Sequence, residues 1–149
     1  MQTPDERIQI ELVYPNQTLI RAELSLWDEY ADMPASEYLR LALRFGDREI
    51  ISCEETYWAA FCKIRAELEQ ENLLACCYGG SRNVYPSGMC LGMGTGNLAY
   101  RLQLGEPAKI ADLVNIFHTG PEIYPSSLAE QEDFHTIWMG YFKKIKISP

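Results

Sequence analysis

Five cysteines (Cys53, Cys62, Cys76, Cys77, Cys90) and two histidines (His118, His135) are the side chains of this 149-residue sequence best suited to metal or nucleophilic chemistry. Zinc sites present thiolate or imidazole ligands in closely spaced pairs, two to four residues apart. The sequence holds no Cys-x-x-Cys pair and only two histidines to complete a ligand set, so neither a metal nor a cofactor is expected. Cys76 and Cys77 adjoin in an apolar, strand-like run, where successive side chains point to opposite faces, and at least one should act as a small core hydrophobe. A Cys90 nucleophile would need a histidine base and an acid to orient it. His118 follows Phe117 at a predicted helix end and His135 falls inside another predicted helix, positions that capping or solvent contact explains. No catalytic residue is assigned, and the chain is not expected to be an enzyme.

The other chemically suggestive stretch is the loop from Gly79 to Asn97. It holds six of the ten glycines, and Arg82 is the only charged side chain between Asn72 and Tyr100. Such a loop either tucks against the domain or presents an adhesive surface, because Val84, Tyr85, Met89, Leu91 and Met93 are poorly placed in water. Gly92-Met93-Gly94-Thr95-Gly96 resembles a phosphate cradle only superficially, since no Gly-Lys-Ser/Thr is present and a strand rather than a helix follows. Two readings stay open. In one the loop is architectural, with Arg82 bonding loop carbonyls. In the other it binds a small ligand, with Arg82 holding an anion and Ser81, Asn83 and Tyr85 supplying hydrogen bonds.

Charge separates the two halves of the chain. The formal net charge of −8 lies wholly before Asn72, where 15 acidic residues face 7 basic ones. An acidic field repels phosphate backbones, so no nucleic-acid partner is expected. The same field speeds encounter with a basic protein. The N-terminus has neither the basic start nor the apolar core of a secretory signal, and glycines and a proline break the longest uncharged run. A soluble, cytoplasmic protein with no membrane span is therefore expected.

The elements that must position these residues read as one domain, 1–149. Arg7–Tyr14 and Leu19–Leu26 alternate with period two about a Pro-Asn-Gln turn, and Tyr38–Phe45 and Glu49–Cys53 repeat the pattern about Gly46-Asp47. Ser52-Cys-Glu-Glu55 has capping-box spacing before a helix whose stripe is Trp58, Phe61, Cys62, Arg65 and Leu68. A buried strand over Leu73–Tyr78 is expected to neighbour another over Leu98–Leu104. Pro107 should open a short helix through Phe117, and Ser127-Leu-Ala-Glu130 a last one bearing Phe134, Ile137, Trp138 and Tyr141. The sum is an α+β fold: an antiparallel sheet of about five to six strands with two to three helices packed mainly on one face.

The string Gly79-Gly-Ser-Arg-Asn-Val-Tyr-Pro-Ser-Gly-Met89, followed by Met93-Gly-Thr-Gly, Leu98-Ala-Tyr-Arg-Leu102, Asp112-Leu-Val-Asn-Ile-Phe117 and Glu130-Gln-Glu-Asp-Phe134, resembles a group of small, poorly characterised bacterial proteins. Several of these look like cytosolic immunity or accessory proteins of interbacterial toxin systems. The resemblance covers about half the chain, is clearest from Gly79 to Phe117, and carries no catalytic signature. With the acidic first half, it implies a non-enzymatic module that binds and neutralises a cognate toxin or other basic protein. Asp28, Glu29, Asp32, Glu54 and Glu55 are the expected contact carboxylates, and Trp27 and Tyr30 the expected exposed anchors. The alternative is a small-ligand binder or enzyme using loop 79–97, and the oligomeric state is open.

Overall fold

The computed structural model of the chain describes residues 2–29 and 38–147, with side chains as far as Tyr141. It is an α+β fold built on a five-stranded antiparallel sheet. Strands β1 (Glu6–Val13), β2 (Leu19–Trp27), β3 (Leu39–Phe45) and β4 (Arg48–Glu54) form a meander, and β5 (Leu74–Cys76) returns beside β1, giving the order β4-β3-β2-β1-β5. The β3–β4 turn works because Gly46 takes φ +58, a left-handed conformation costly for a side-chain-bearing residue.

Register assigns the two faces. Ile10 opposes Ala22, Leu24 opposes Leu43, Leu26 opposes Leu41 and Leu43 opposes Ile50, so one face is predominantly apolar, with Ser52 opposite Leu41 and the carboxylates Glu6 and Glu54 at one end. A slip of one residue would turn that whole surface to water, which is why strict alternation specifies the pairing. The opposite face carries Arg7, Arg21, Arg40 and Arg44, four of the seven basic residues of the first half.

Helix α1 (Tyr57–Glu69) packs on the apolar face and buries Tyr57, Trp58, Ala60, Phe61, Ile64, Arg65 and Leu68. Its N-cap is Thr56, whose hydroxyl accepts from Ala59 N at 3.1 Å. The capping box expected at Ser52 and Glu55 does not form, because Ser52 pairs with Leu41 inside β4.

A second, three-stranded sheet, β6 (Val84–Tyr85), β7 (Leu98–Arg101) and β8 (Leu113–Asn115), has the order β6-β7-β8. It covers α1 from the other side: Phe117, just past β8, meets Tyr57 and Phe61 edge-on at 5.7 and 5.3 Å, and Tyr85 meets Trp58 at 5.6 Å. Two sequence expectations change here. The Leu98 strand joins this small sheet rather than β5 and stops at Arg101. The helix expected after Pro107 is one 3-10 turn, Ile110–Asp112, followed by β8, because Leu113, Val114 and Asn115 complete the β7 ladder.

The five-residue α2 (Gly88–Gly92) lies in the connection between β6 and β7, and α3 (Leu128–Ile147) closes the chain. The capping box at α3 forms as its spacing implies: Ser127 N donates to Glu130 Oε1 at 2.9 Å and Glu130 N donates to Ser127 Oγ at 3.1 Å. Accepting from that amide and hydroxyl holds the Glu130 carboxyl below its usual range. Among the described residues, no helix is long and apolar enough to cross a membrane.

Candidate functional site

Antiparallel pairing brings carboxylates that are far apart in sequence to one end of the large sheet. Glu6 opposes Leu26, Trp27 opposes Arg40 and Leu39 opposes Glu54, so the start of β1, the end of β2, the start of β3 and the end of β4 share that end. Asp5, Glu6, Asp28, Glu29, Glu54 and Glu55 gather there as a result. Asp5, Glu6, Asp28, Glu29 and Glu55 are exposed. Glu54 forms an ion pair with Lys63, one face along α1. Asp5 and Glu6 were missed by sequence reasoning, because only the register shows that β1 begins beside the end of β2.

The first turn of α1 ties this rim to the core. The Tyr57 hydroxyl donates to Asp28 Oδ1 at 2.7 Å, and Asp28 N donates to Asp5 Oδ2 at 2.8 Å. Burial, followed by the hydrogen bond and charge of Asp28 and the charges of Asp5 and Glu6, drives the Tyr57 hydroxyl far above the usual phenol range. It therefore stays a donor and holds Asp28 in place without neutralising the rim.

Trp27 does not offer the anchor expected of it. Its side chain is 8% exposed, its indole N–H donates to Gln2 O at 2.8 Å, and Arg40 lies over its ring at 4.9 Å. Tyr30 and Asp32 lie outside the described residues.

Exposed apolar side chains come instead from the glycine-rich loop. Its second half wraps the amino end of α1: Tyr57 N donates to Thr95 O at 2.8 Å and Trp58 N to Gly96 O at 3.1 Å. Those carbonyls occupy the helix amides that an anion would otherwise use. Gly96 sits at φ +70, and a Cβ there would meet Thr56 Cβ at 2.6 Å, so the close approach requires glycine. Just before it, α2 displays Met89 (72% exposed), with Leu91 and Met93 also in water. A carboxylate rim and a methionine-bearing tip thus share the amino end of α1.

The first half of the loop behaves oppositely. Gly79, Gly80, Ser81 and Val84 are buried, and the group that bonds the loop carbonyls is Arg65, not Arg82. Arg65 is 3% exposed and donates from Nη1 to Gly79 O (2.9 Å) and Gln131 Oε1 (2.7 Å), and from Nη2 to Ser126 O (3.1 Å). Gln131 Nε2 in turn donates to Gly79 O and Ser81 O at 3.1 and 2.8 Å. This cation meets neutral oxygens, and burial draws its pKa down while an arginine remains charged. The signal available in sequence was one arginine inside the apolar stripe of α1.

The side chains of the ligand-binding alternative are brought together only in part: Ser81 bonds Asn83, Arg82 and Asn83 border one groove, and Tyr85 is engaged elsewhere. The Ser81 hydroxyl is fully buried, donating to Asn83 Oδ1 at 2.5 Å and accepting from Tyr124 N at 2.8 Å. The Tyr85 hydroxyl donates to Glu132 Oε1 at 2.6 Å. Arg82 is exposed beside the Tyr124 and Phe134 rings, at 5.6 and 5.9 Å, and with Asn83 borders an open groove of about 370 Å³.

Cys77 and Cys90 are buried, and Cys53, Cys62 and Cys76 are half-buried. Burial pushes the Cys77 thiol up to about 12 and Cys62 up to about 11, so both stay protonated at neutral pH. Cys90 Sγ accepts from the Ser87 hydroxyl at 3.3 Å, while His135 stacks on Tyr85 at 3.7 Å. Among the described residues, no group of three or more His, Cys, Asp or Glu side chains could hold a metal ion. No protein-family model matches the chain, and no curated protein matches it.

Proposed function

We propose that this chain is a non-enzymatic, protein-binding module of the immunity type, which binds and neutralises a cognate toxin, or another basic protein, through the carboxylate-rich end of its large sheet. The observation that supports this reading best is that strand register brings Asp5, Glu6, Asp28, Glu29, Glu54 and Glu55 to one end of the sheet, where the loop that carries the exposed Met89, Leu91 and Met93 bonds the first turn of α1 through Thr95 and Gly96. Apolar contacts flanked by charge follow the anatomy of protein interfaces, and methionine adapts its shape to the surface it meets. The rim steers a basic partner in and sets its orientation, while the methionine tip supplies apolar area to hold it. The protein acts in the cytoplasm, by covering its partner's working surface rather than by transforming a substrate. The resemblance of residues 73–142 to small bacterial proteins, several of which look like immunity or accessory proteins, points the same way.

Affinity capture from the native cell tests this, with the wild-type chain and a Glu6→Lys/Glu29→Lys/Glu55→Lys variant as paired baits. These substitutions leave the Tyr57–Asp28 bond in place. A basic protein retained by the first bait, lost from the second and inhibited by the purified chain is the expected result. Equal retention of every partner by both baits would overturn the acidic-rim reading.

A further inference from the structure

The open groove bordered by Arg82 and Asn83 also takes in Arg101 from β7, Asp112, Glu122, Tyr124 and, from α3, Phe134. Its two arginines do not behave as Arg65 does. Arg65 places three bonds of 2.7–3.1 Å on neutral oxygens, the pattern of a side chain that fastens structure. Arg101 lies between two carboxylates that it barely reaches: Nη2 is 3.5 Å from Asp112 Oδ1 and Nη1 is 3.9 Å from Glu122 Oε2, against about 2.7–2.9 Å for a charge-assisted bond. Its Nε is buried with no hydrogen-bond partner among the described residues. Arg82 is looser still. Among the described residues its guanidinium makes no hydrogen bond or ion pair, and it lies beside the Tyr124 and Phe134 rings.

Glu122 forms an opposite pole. Its side chain is 66% exposed, its ion pair among the described residues is that long contact to Arg101, and its backbone holds φ +62, a conformation costly for a residue with a side chain. The segment is nonetheless fixed: Asn83 Nδ2 donates to Glu122 O at 3.5 Å, and Arg82 N donates to Tyr124 O at 2.9 Å. A cation and a carboxylate are thereby held at one groove without pairing with each other, and two aromatic rings stand beside the cation. A purely anionic ligand would meet Asp112 and Glu122, and a purely cationic one would meet Arg82 and Arg101. A dipolar ion avoids both conflicts, because each of its ends faces the charge it needs.

We infer that this groove binds a small zwitterion of the amino-acid type, its carboxylate on Arg82 and Arg101, its ammonium on Glu122 and its apolar or aromatic body along Tyr124 and Phe134. A free amino acid and a short peptide share that chemistry. The groove has no residue in common with the carboxylate rim, so the inference stands apart from the proposed partner binding.

Nuclear magnetic resonance titration of the isotope-labelled full chain tests it, and the same spectra show whether each variant folds. L-phenylalanine or glycyl-phenylalanine should give saturable shifts at the amides of residues 82–83, 101–104 and 122–124 at low-millimolar concentration, the tighter of the two naming the source. Phenylpropionate, which lacks the ammonium, and phenethylamine, which lacks the carboxylate, should each bind at least tenfold more weakly. Arg82→Ala and Glu122→Gln should each weaken the zwitterion at least tenfold, while Arg21→Gln, on the outer face of the large sheet, should leave it unchanged. No saturable shift from either zwitterion at tens of millimolar, or both groove variants binding as tightly as wild type, overturns the site. Phenylpropionate or phenethylamine binding as tightly as phenylalanine overturns the assignment of a zwitterion.

Discussion

Helices α1 and α3 carry similar apolar stripes and end in different circumstances. The 13 residues of α1 lie between two sheets, and seven of them are buried. Of the described side chains of α3, Gln131, Glu132, Phe134, His135, Trp138 and Tyr141 reach the body but only Gln131 is buried, and Ile137 and Met139 stand in water. Periodicity reports that a helix has an apolar side; what covers that side depends on elements distant in sequence. Here α1 receives a sheet on each side, whereas α3 receives Arg65, the first half of the glycine-rich loop, Tyr85 and the loop around Glu106 and leaves Ile137 and Met139 uncovered.

The contrast can be broken most severely at Phe61. Phe61→Ala removes a ring packed on Phe117 and should cost about 3–5 kcal/mol in chemical denaturation. A loss below about 1 kcal/mol would mean that α1 is not enclosed as described. The equivalent truncation on α3, Ile137→Ala, should change stability by no more than about 0.5 kcal/mol.

Arg65→Met comes next. It keeps the stem but strands Ser126 O and Gln131 Oε1, so a loss of roughly 2–4 kcal/mol is expected, with amide exchange accelerated through residues 79–84 and at the start of α3. Exchange unchanged in either segment would show that Arg65 does not join them.

Removing the caps is milder and distinguishes the helices by where the loss is felt. Thr56→Ala should cost about 1 kcal/mol of global stability. Ser127→Ala should cost a similar amount, about 1 kcal/mol, but appear as fraying of the first turn of α3 in hydrogen exchange. Ser52→Ala should not fray α1 at all, because Ser52 lies in β4.

The smallest effect is a pH dependence at His135. Burial lowers its pKa below the ordinary value of about 6.5, with Glu132 pulling weakly the other way. The undocked helix therefore takes up a proton at higher pH than the docked one. The contribution is intact above about pH 6.5 and declines as pH falls through and below it. Exchange protection of α3 should drop between neutral and mildly acidic pH while that of α1 holds, and His135→Phe should abolish the difference.

Much of the large sheet was legible because alternation, turn residues and charge agreed at each step. Glu6–Val13, Leu19–Trp27, Leu39–Phe45 and Arg48–Glu54 fall within a residue or two of the sequence reading. The misreadings share a cause. Asp112 to Phe117 has helical spacing of apolar residues, but β7 had an open edge, and pairing with it overrode local preference. Ser52 and Glu55 have the spacing of a cap and lost to Thr56, since register had already committed Ser52 to a ladder. Of the candidate site, the carboxylates after β2 and β4 could be named from the sequence, whereas Asp5 and Glu6 needed the strand pairing that brings them alongside. Loop 79–97 looked like one feature and is two: Arg65 and Gln131, from α1 and α3, fasten its first half, where Arg82 alone among residues 79–84 is exposed, and its second half carries Met89 into water.

The central claim is that the carboxylate end of the sheet recruits a basic protein, and the association rate tests it most directly. With the partner captured by the wild-type chain, stopped-flow mixing should show the Glu6→Lys/Glu29→Lys/Glu55→Lys variant associating at least about tenfold more slowly at low salt, the two rates converging at high salt. Equal association rates at low salt would contradict the account.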